Sequence, residues 1–343
     1  MPNSNTYKFS FLALGILLIL CFFANISLGS IYIPFKDVFY SLIGTATEQE
    51  TWQHIIQNYR LPKAITAILV GSGLGISGLL MQTLFRNPLA GPFVLGISSG
   101  ASLGVALVIL GSSVFGGIFA TFLISKWSIV LAASLGSFLV LLAVLMVSIK
   151  VRDTMAILII GLMFASITAA IVSVLSYFGS AQQLQQYIFW GFGSLGNLSW
   201  DELAIFFVIY CFGIAICLAS IKSLNTLLLG ENYAKSLGLN IKRSRLAIII
   251  STSLLAGTIT AFTGPIAFIG LAIPHLPRQF LNTPNHKILL PAVFLFGAIV
   301  MLVCDSIAQV PNSDYTLPIN AITSLVGAPV VIWLLVRKRK MVF

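Results

Sequence analysis

Apolar runs about twenty residues long recur along this chain, separated by short polar breaks, and nothing else limits its fold as strongly. A run of that length crosses the ~30 Å hydrocarbon core of a bilayer as a helix and is too long for a barrel strand. No water is present there to satisfy backbone N–H and C=O groups, so each run must close its hydrogen bonds internally. Only 8% of the 343 residues are charged, against roughly 25% in soluble domains. The chain therefore reads as an all-α membrane protein, a polytopic bundle. The length rule that divides soluble chains into domains does not apply in lipid, so residues 1–343 are read as a single transmembrane domain.

Ten spans are expected, near 8–28, 62–82, 93–113, 128–149, 154–177, 202–221, 246–263, 264–277, 288–308 and 318–336. The first follows Lys8 and exceeds the apolar segment of a signal peptide, with no small-x-small cleavage site, so it is expected to stay as a span. The eighth is short and carries proline. Gly71, Gly75 and Gly78 on one run, and Gly96, Gly100 and Gly104 on the next, predict close helix packing, because small residues let backbones approach in lipid. Cys21, Cys211, Cys217 and Cys304 lie in apolar runs without CxxC spacing and read as buried hydrophobes.

Charge placement orients the bundle. With the N-terminus cytoplasmic, only Lys36, Arg60, Lys63 and Lys126 fall outside, and the other 15 of the 19 Lys and Arg fall inside. The positive-inside rule thus favours both termini in the cytoplasm. Net charge of +10 is accounted for by topology and anionic lipid headgroups, which removes the need for nucleic acid as a partner.

The polar segments carry the functional signal. Residues 230–240, GENYAKSLGLN, form a Glu- and Lys-bearing stretch with helical character between two long apolar runs. Such a stretch on the cytoplasmic side suits docking to a soluble partner. Arg60 and Lys63 open the second span, either snorkelling at a helix end or offering cationic contacts to an extracytoplasmic protein. Arg86, Asn87 and Pro88 predict a tight structural turn. Near Trp190 a short interfacial helix is expected. Three prolines interrupt 264–278, as happens in the broken helices of transporters. Asp305 is the one carboxylate expected within a span, with solvent as its candidate partner. His275 reads as a turn residue, and no metal site or cofactor is expected. There is no GxxxxGK[ST], HExxH or GxSxG, so the chain reads as having no catalytic site of its own.

Four ordered segments carry a resemblance: RLPKAITAILVGSGLGISGLLMQTLFRNPLAGPFVLGISSGAS (60–102), LGENYAKSLGLN (229–240), GPIAFIGLAIPHLPR (264–278) and LPINAITSLVGAPVVIWLL (317–335). Together they resemble the permease family of ABC importers for ferric siderophores, haem and cobalamin. The resemblance implies a multi-pass permease of about ten helices in the plasma (inner) membrane that dimerises around the translocation path. It implies ABC ATPase subunits, a separate substrate-binding protein and membrane lipid as partners. It places ATPase coupling on Glu231, Ala234, Lys235 and Gly238, with Ala234 and Gly238 allowing close packing and Glu231 and Lys235 pairing at i,i+4. Binding-protein docking falls on Arg60 and Lys63, and a narrowing of the path on Thr154. The family commonly has Arg where this chain has Gln309 and Glu where it has Thr316, with Asp314 as a substitute carboxylate. An ion-coupled secondary transporter is the alternative, but it calls for ionisable groups deep in the spans, and Asp305 stands almost alone.

Overall fold

A computed structural model describes residues 4–45, 47–111, 125–150, 154–310, 313 and 315–336. Among these, seven helices are long and apolar enough to cross a membrane. They are α1 (Ser4–Ser27), α4 (Leu61–Phe85), α6 (Lys126–Lys150), α7 (Thr154–Phe178), α9 (Trp200–Ala219), α12 (Ile241–Thr263) and α15 (His286–Ala308). Two shorter apolar helices, α5 (Ile97–Ile109) and α16 (Ile319–Val336), fall at the expected third and tenth spans.

Shorter helices lie between these elements. They are α2 (Phe35–Leu42), α3 (Glu50–Ile55), α8 (Ala181–Gly191), α10 (Ile221–Leu227), α11 (Glu231–Ser236), α13 (Ile269–Ala272) and α14 (His275–Leu281). A π turn, Ile56–Arg60, joins α3 to α4 without a break. The expected helix near Trp190 is α8, opened by a capping box between Ser180 and Gln183.

Two expectations change. The eighth span is not one helix but α13 and α14, preceded by an extended stretch at 264–267. Gly264 and Phe268 have positive φ there, and Pro274 supplies no N–H to continue α13. The third span is shortened because Gly96, at φ 75, separates a 3-10 turn (Pro92–Leu95) from α5.

The chain divides into two compact units. The first comprises Met1–Leu79, Ser194–Val208 and Ala267–Phe343, and the second Leu80–Gly193 and Ile209–Ile266. In the first unit, α4 and α15 meet backbone to backbone. A Cβ at Gly71 would overlap the Gly297 carbonyl, and one at Gly297 would overlap the Gly71 carbonyl. Gly78 faces the Gly270 carbonyl in the same way. The unwound stretch is tied down where the Ala267 N–H donates to Asn320 Oδ1 at 2.9 Å. In the second unit, Gly100 faces Gly136 and Gly104 faces Ala132 across α5 and α6. Several buried hydroxyls in the spans donate back along their own helices, as Thr66 does to Pro62 and Thr260 to Ala256, whereas those of Thr252 and Ser253 in α12 meet no partner among the described residues.

Candidate functional site

Two polar clusters stand out, one in each unit. The first is built on the start of α4. Arg60 closes the π turn, and its guanidinium donates to the carbonyls of Ile26 (2.7 Å) and Ser27 (2.9 Å), in the last turn of α1. These belong to the terminal carbonyls that have no partner within a helix, and a cation there also suits the helix dipole. A third bond reaches the Ile31 carbonyl. Gly29 makes room for this arrangement, because a Cβ there would sit 2.7 Å from the guanidinium.

Nearly one turn along, Lys63 Nζ lies 3.1 Å from Asp305 Oδ1; the side chains are 22% and 3% exposed. The other carboxylate oxygen, Oδ2, accepts from Asn25 Nδ2 (2.9 Å) and Gln309 Nε2 (2.8 Å). Asn25 also donates to Ser306 Oγ and the Leu302 carbonyl. One buried carboxylate therefore gathers α1, α4 and α15, with a cation on one oxygen and two amides on the other. The solvent partner expected for Asp305 is replaced by Lys63. Gln309, a departure from the family pattern, proves to be part of this shell. Asn25 carried no signal in the sequence, since an Asn near a span end reads as an ordinary helix terminus. Asp314 lies outside the described residues.

The second cluster joins the 86–90 turn to α11. Arg86, at φ 46, ends α4 in the left-handed region. The Asn87 N–H reaches back to the Gln82 carbonyl and that of Arg86 to Thr83, the paired bonds of a Schellman motif. Asn87 Oδ1 then accepts from the Leu89 N–H. Arg86, Asn87 and Pro88 thus form the expected tight turn. In addition, Arg86 Nη2 approaches the Leu228 carbonyl at 3.4 Å.

Helix α11 is held at both ends. Gly230, at φ 101, lets the chain turn into it, and Glu231 Oε1 accepts from Arg245 Nη2 of α12 at 3.0 Å. Glu231 is thus directed at Arg245 rather than at Lys235, as i,i+4 spacing had suggested. Ala234 is fully buried, in keeping with close packing, and Lys235 is exposed. Gly238 differs from expectation: a Cβ there meets nothing within 4 Å. What requires glycine is its φ of 82, with its N–H bonding the Lys235 carbonyl while the Leu239 N–H bonds that of Ala234.

A cavity of about 650 Å³ opens beside α11, lined among others by Thr83, Phe85, Arg86, Glu231 and Tyr233. Around it Leu229, Tyr233 and Leu237, four residues apart, are 58%, 58% and 60% exposed. Large apolar side chains are thus exposed together on a polar segment. Sequence reading weighed the charges here and missed these three. Thr154 is the first residue of α7, and its side chain lies outside the described residues.

Residues 17–337 match the model of the FecCD transport family. The hemin transport system permease protein HmuU of Yersinia pestis is 34% identical over 326 residues, covering 95% of this chain and 94% of that protein. The vitamin B12 import system permease protein BtuC of Klebsiella pneumoniae is 37% identical over 288 residues, covering 84% of each. A solved structure described as an inward-facing conformation of a metal-chelate type ABC transporter superposes with a TM-score of 0.82 at 31% identity, covering 97% of this chain and all of that one. With matches of that extent over a multi-pass inner-membrane bundle, the chain belongs to the FecCD transport family.

Proposed function

We propose that the chain is the membrane-spanning subunit of a binding-protein-dependent ABC importer, which carries an iron chelate (siderophore or haem) or cobalamin into the cytoplasm. The observation that carries this reading is the 228–245 segment. A six-residue helix lies outside the spans, clamped through Glu231 to Arg245, and presents Tyr233 and its apolar neighbours outward. A chain with no nucleotide-binding motif needs such a contact to receive work done by a separate ATPase. Residues 231–238 are the seat of that subunit, with Arg86 bracing its edge. Two copies of the permease form the path between them, with both termini cytoplasmic as the loop charges favour, and Thr154 opens the helix at its inner narrowing.

Docking of the substrate-binding protein falls to the Arg60–Lys63 end. The Arg60 guanidinium is engaged by three carbonyls and shapes the turn, which leaves the partly exposed Lys63 ammonium as the direct contact for an incoming carboxylate.

Reconstitution in vesicles with an ATPase subunit and a binding protein tests the proposal. Uptake that requires ATP and both partners, and that survives collapse of ion gradients, is expected. Uptake that runs on a proton or sodium gradient without the ATPase would establish the secondary transporter instead.

A further inference from the structure

Helix α2 is amphipathic in the sense opposite to that of a helix bathed in water. Its polar residues Asp37 and Ser41 are buried with Val38. Asp37 Oδ1 accepts from the Glu48 N–H at 3.0 Å, and the Ser41 carbonyl accepts from Gln57 Nε2. Facing outward are Phe35 and Phe39, each 52% exposed, with Ile43 at 55% one further turn along. Beside this ridge runs a second line, Tyr32, Lys36 and Tyr40, in which the Lys36 ammonium sits 5.5 Å from the Tyr40 ring centroid.

The position of α2 says what medium covers this face. Helix α1 has 24 residues, about 36 Å at 1.5 Å per residue, slightly more than the ~30 Å core it crosses. Its Ser27 end therefore reaches headgroup depth. The chain does not leave that level: the Ile33 N–H donates to the Ser27 carbonyl at 3.1 Å, and Ser27 Oγ donates to the Ile33 carbonyl. Only Pro34 separates Ile33 from α2. Helix α2 thus begins where a span ends whose exposed apolar residues include Leu12, Ile16, Ile19 and Leu20. Aromatic rings with one long-stemmed lysine suit the boundary between acyl chains and phosphates.

We infer that α2 is a bilayer anchor, with Phe35, Phe39 and Ile43 inserted at the acyl–headgroup boundary and Lys36 reaching a lipid phosphate. The Ser41 and Ile31 carbonyls are held by Gln57 and Arg60, so the anchor sets the depth at which the Arg60–Lys63 end is presented. The inference rests on the membrane-spanning fold and not on which solute is carried.

The unmodified protein in nanodiscs of phosphatidylcholine and phosphatidylglycerol provides the test. Hydroxyl-radical footprinting should oxidise Tyr32, Phe35 and Phe39 several-fold less than the similarly exposed Tyr233. Equal oxidation would overturn the anchor. Nitroxide labels at Phe35→Cys and Phe39→Cys, in a background with Cys21, Cys211, Cys217 and Cys304 replaced by Ser, identify the cover. Collisions with oxygen that exceed those with a water-soluble nickel chelate mean lipid. Protection from both would show a second copy or another protein on the face, and would equally overturn it.

Discussion

Removing the Lys63 ammonium tests the reasoning about the buried carboxylate most directly. Lys63→Met keeps the apolar stem, which passes within 4 Å of where a Cβ at Gly196 would lie, and deletes only the charge. Asp305 is then left at 3% exposure with two amide donors and no cation. Breaking a fully buried pair costs about 3–5 kcal/mol. The two amides and the water that reaches a partly exposed Lys63 position reduce this to about 2–3 kcal/mol. Asp305→Asn leaves the cation behind instead, and that cation can turn toward solvent, so its cost should be smaller, about 1–2 kcal/mol. The double variant carries no orphaned charge and should be more stable than Lys63→Met alone. About 2 kcal/mol of coupling corresponds to roughly 3 °C in melting temperature, taking about 2.1 cal/mol/K of unfolding entropy per residue. Fluorescence-detected size-exclusion chromatography of heated, detergent-solubilised protein measures the four variants of the cycle. A double variant whose loss equals the sum of the two single losses would refute the coupling. Asp305→Asn proving worse than Lys63→Met would refute the argument from burial.

Gly238→Ala should weaken the end of α11 by about 1 kcal/mol, because alanine is strained at φ 82 although space is open, and Gly238→Asn should cost less; hydrogen exchange at 231–236 reports the difference. Arg245→Met should free Glu231 and lower ATP-dependent uptake more than membrane insertion, and pull-down of the ATPase subunit reads the lost contact. Asn320→Ala strands the Ala267 N–H at a cost of about 1–3 kcal/mol, seen as earlier thermal aggregation. Gly78→Ala should abolish monodisperse protein, since its methyl meets the Gly270 carbonyl, whereas Gly15→Ala, with nothing within 4 Å, should leave the elution profile unchanged.

Where lipid is the solvent, the physics that selects helices acts on every residue of a run, so the long spans could be read within a few residues of their ends. Breaks were harder. Composition shows that 264–278 cannot be a regular span, but Phe268 entering the left-handed region at φ 63 is set by its surroundings: its side chain occupies the space left by Gly327. The Arg86 turn was legible because Pro88 stops a helix locally. The Lys63–Asp305 pair was not, because 242 positions separate the partners and either residue alone reads as a span-end charge. Gly238 was noticed for its size, while its dihedral angle is what matters. Glu231 had a plausible local partner in Lys235, and only the packing of α12 against α11 shows that Arg245 takes it.

The meeting of Gly71 with Gly297 also restricts how this family member can change over generations. Most steric conflicts in a protein core can be relieved by a second substitution that trims the neighbour. At this crossing each glycine faces the other's main-chain carbonyl, and no codon change shortens a peptide bond. Neither position can accept a side chain first, and accepting one second brings no relief. The crossing is therefore a fixed point around which the rest of the sequence is free to drift.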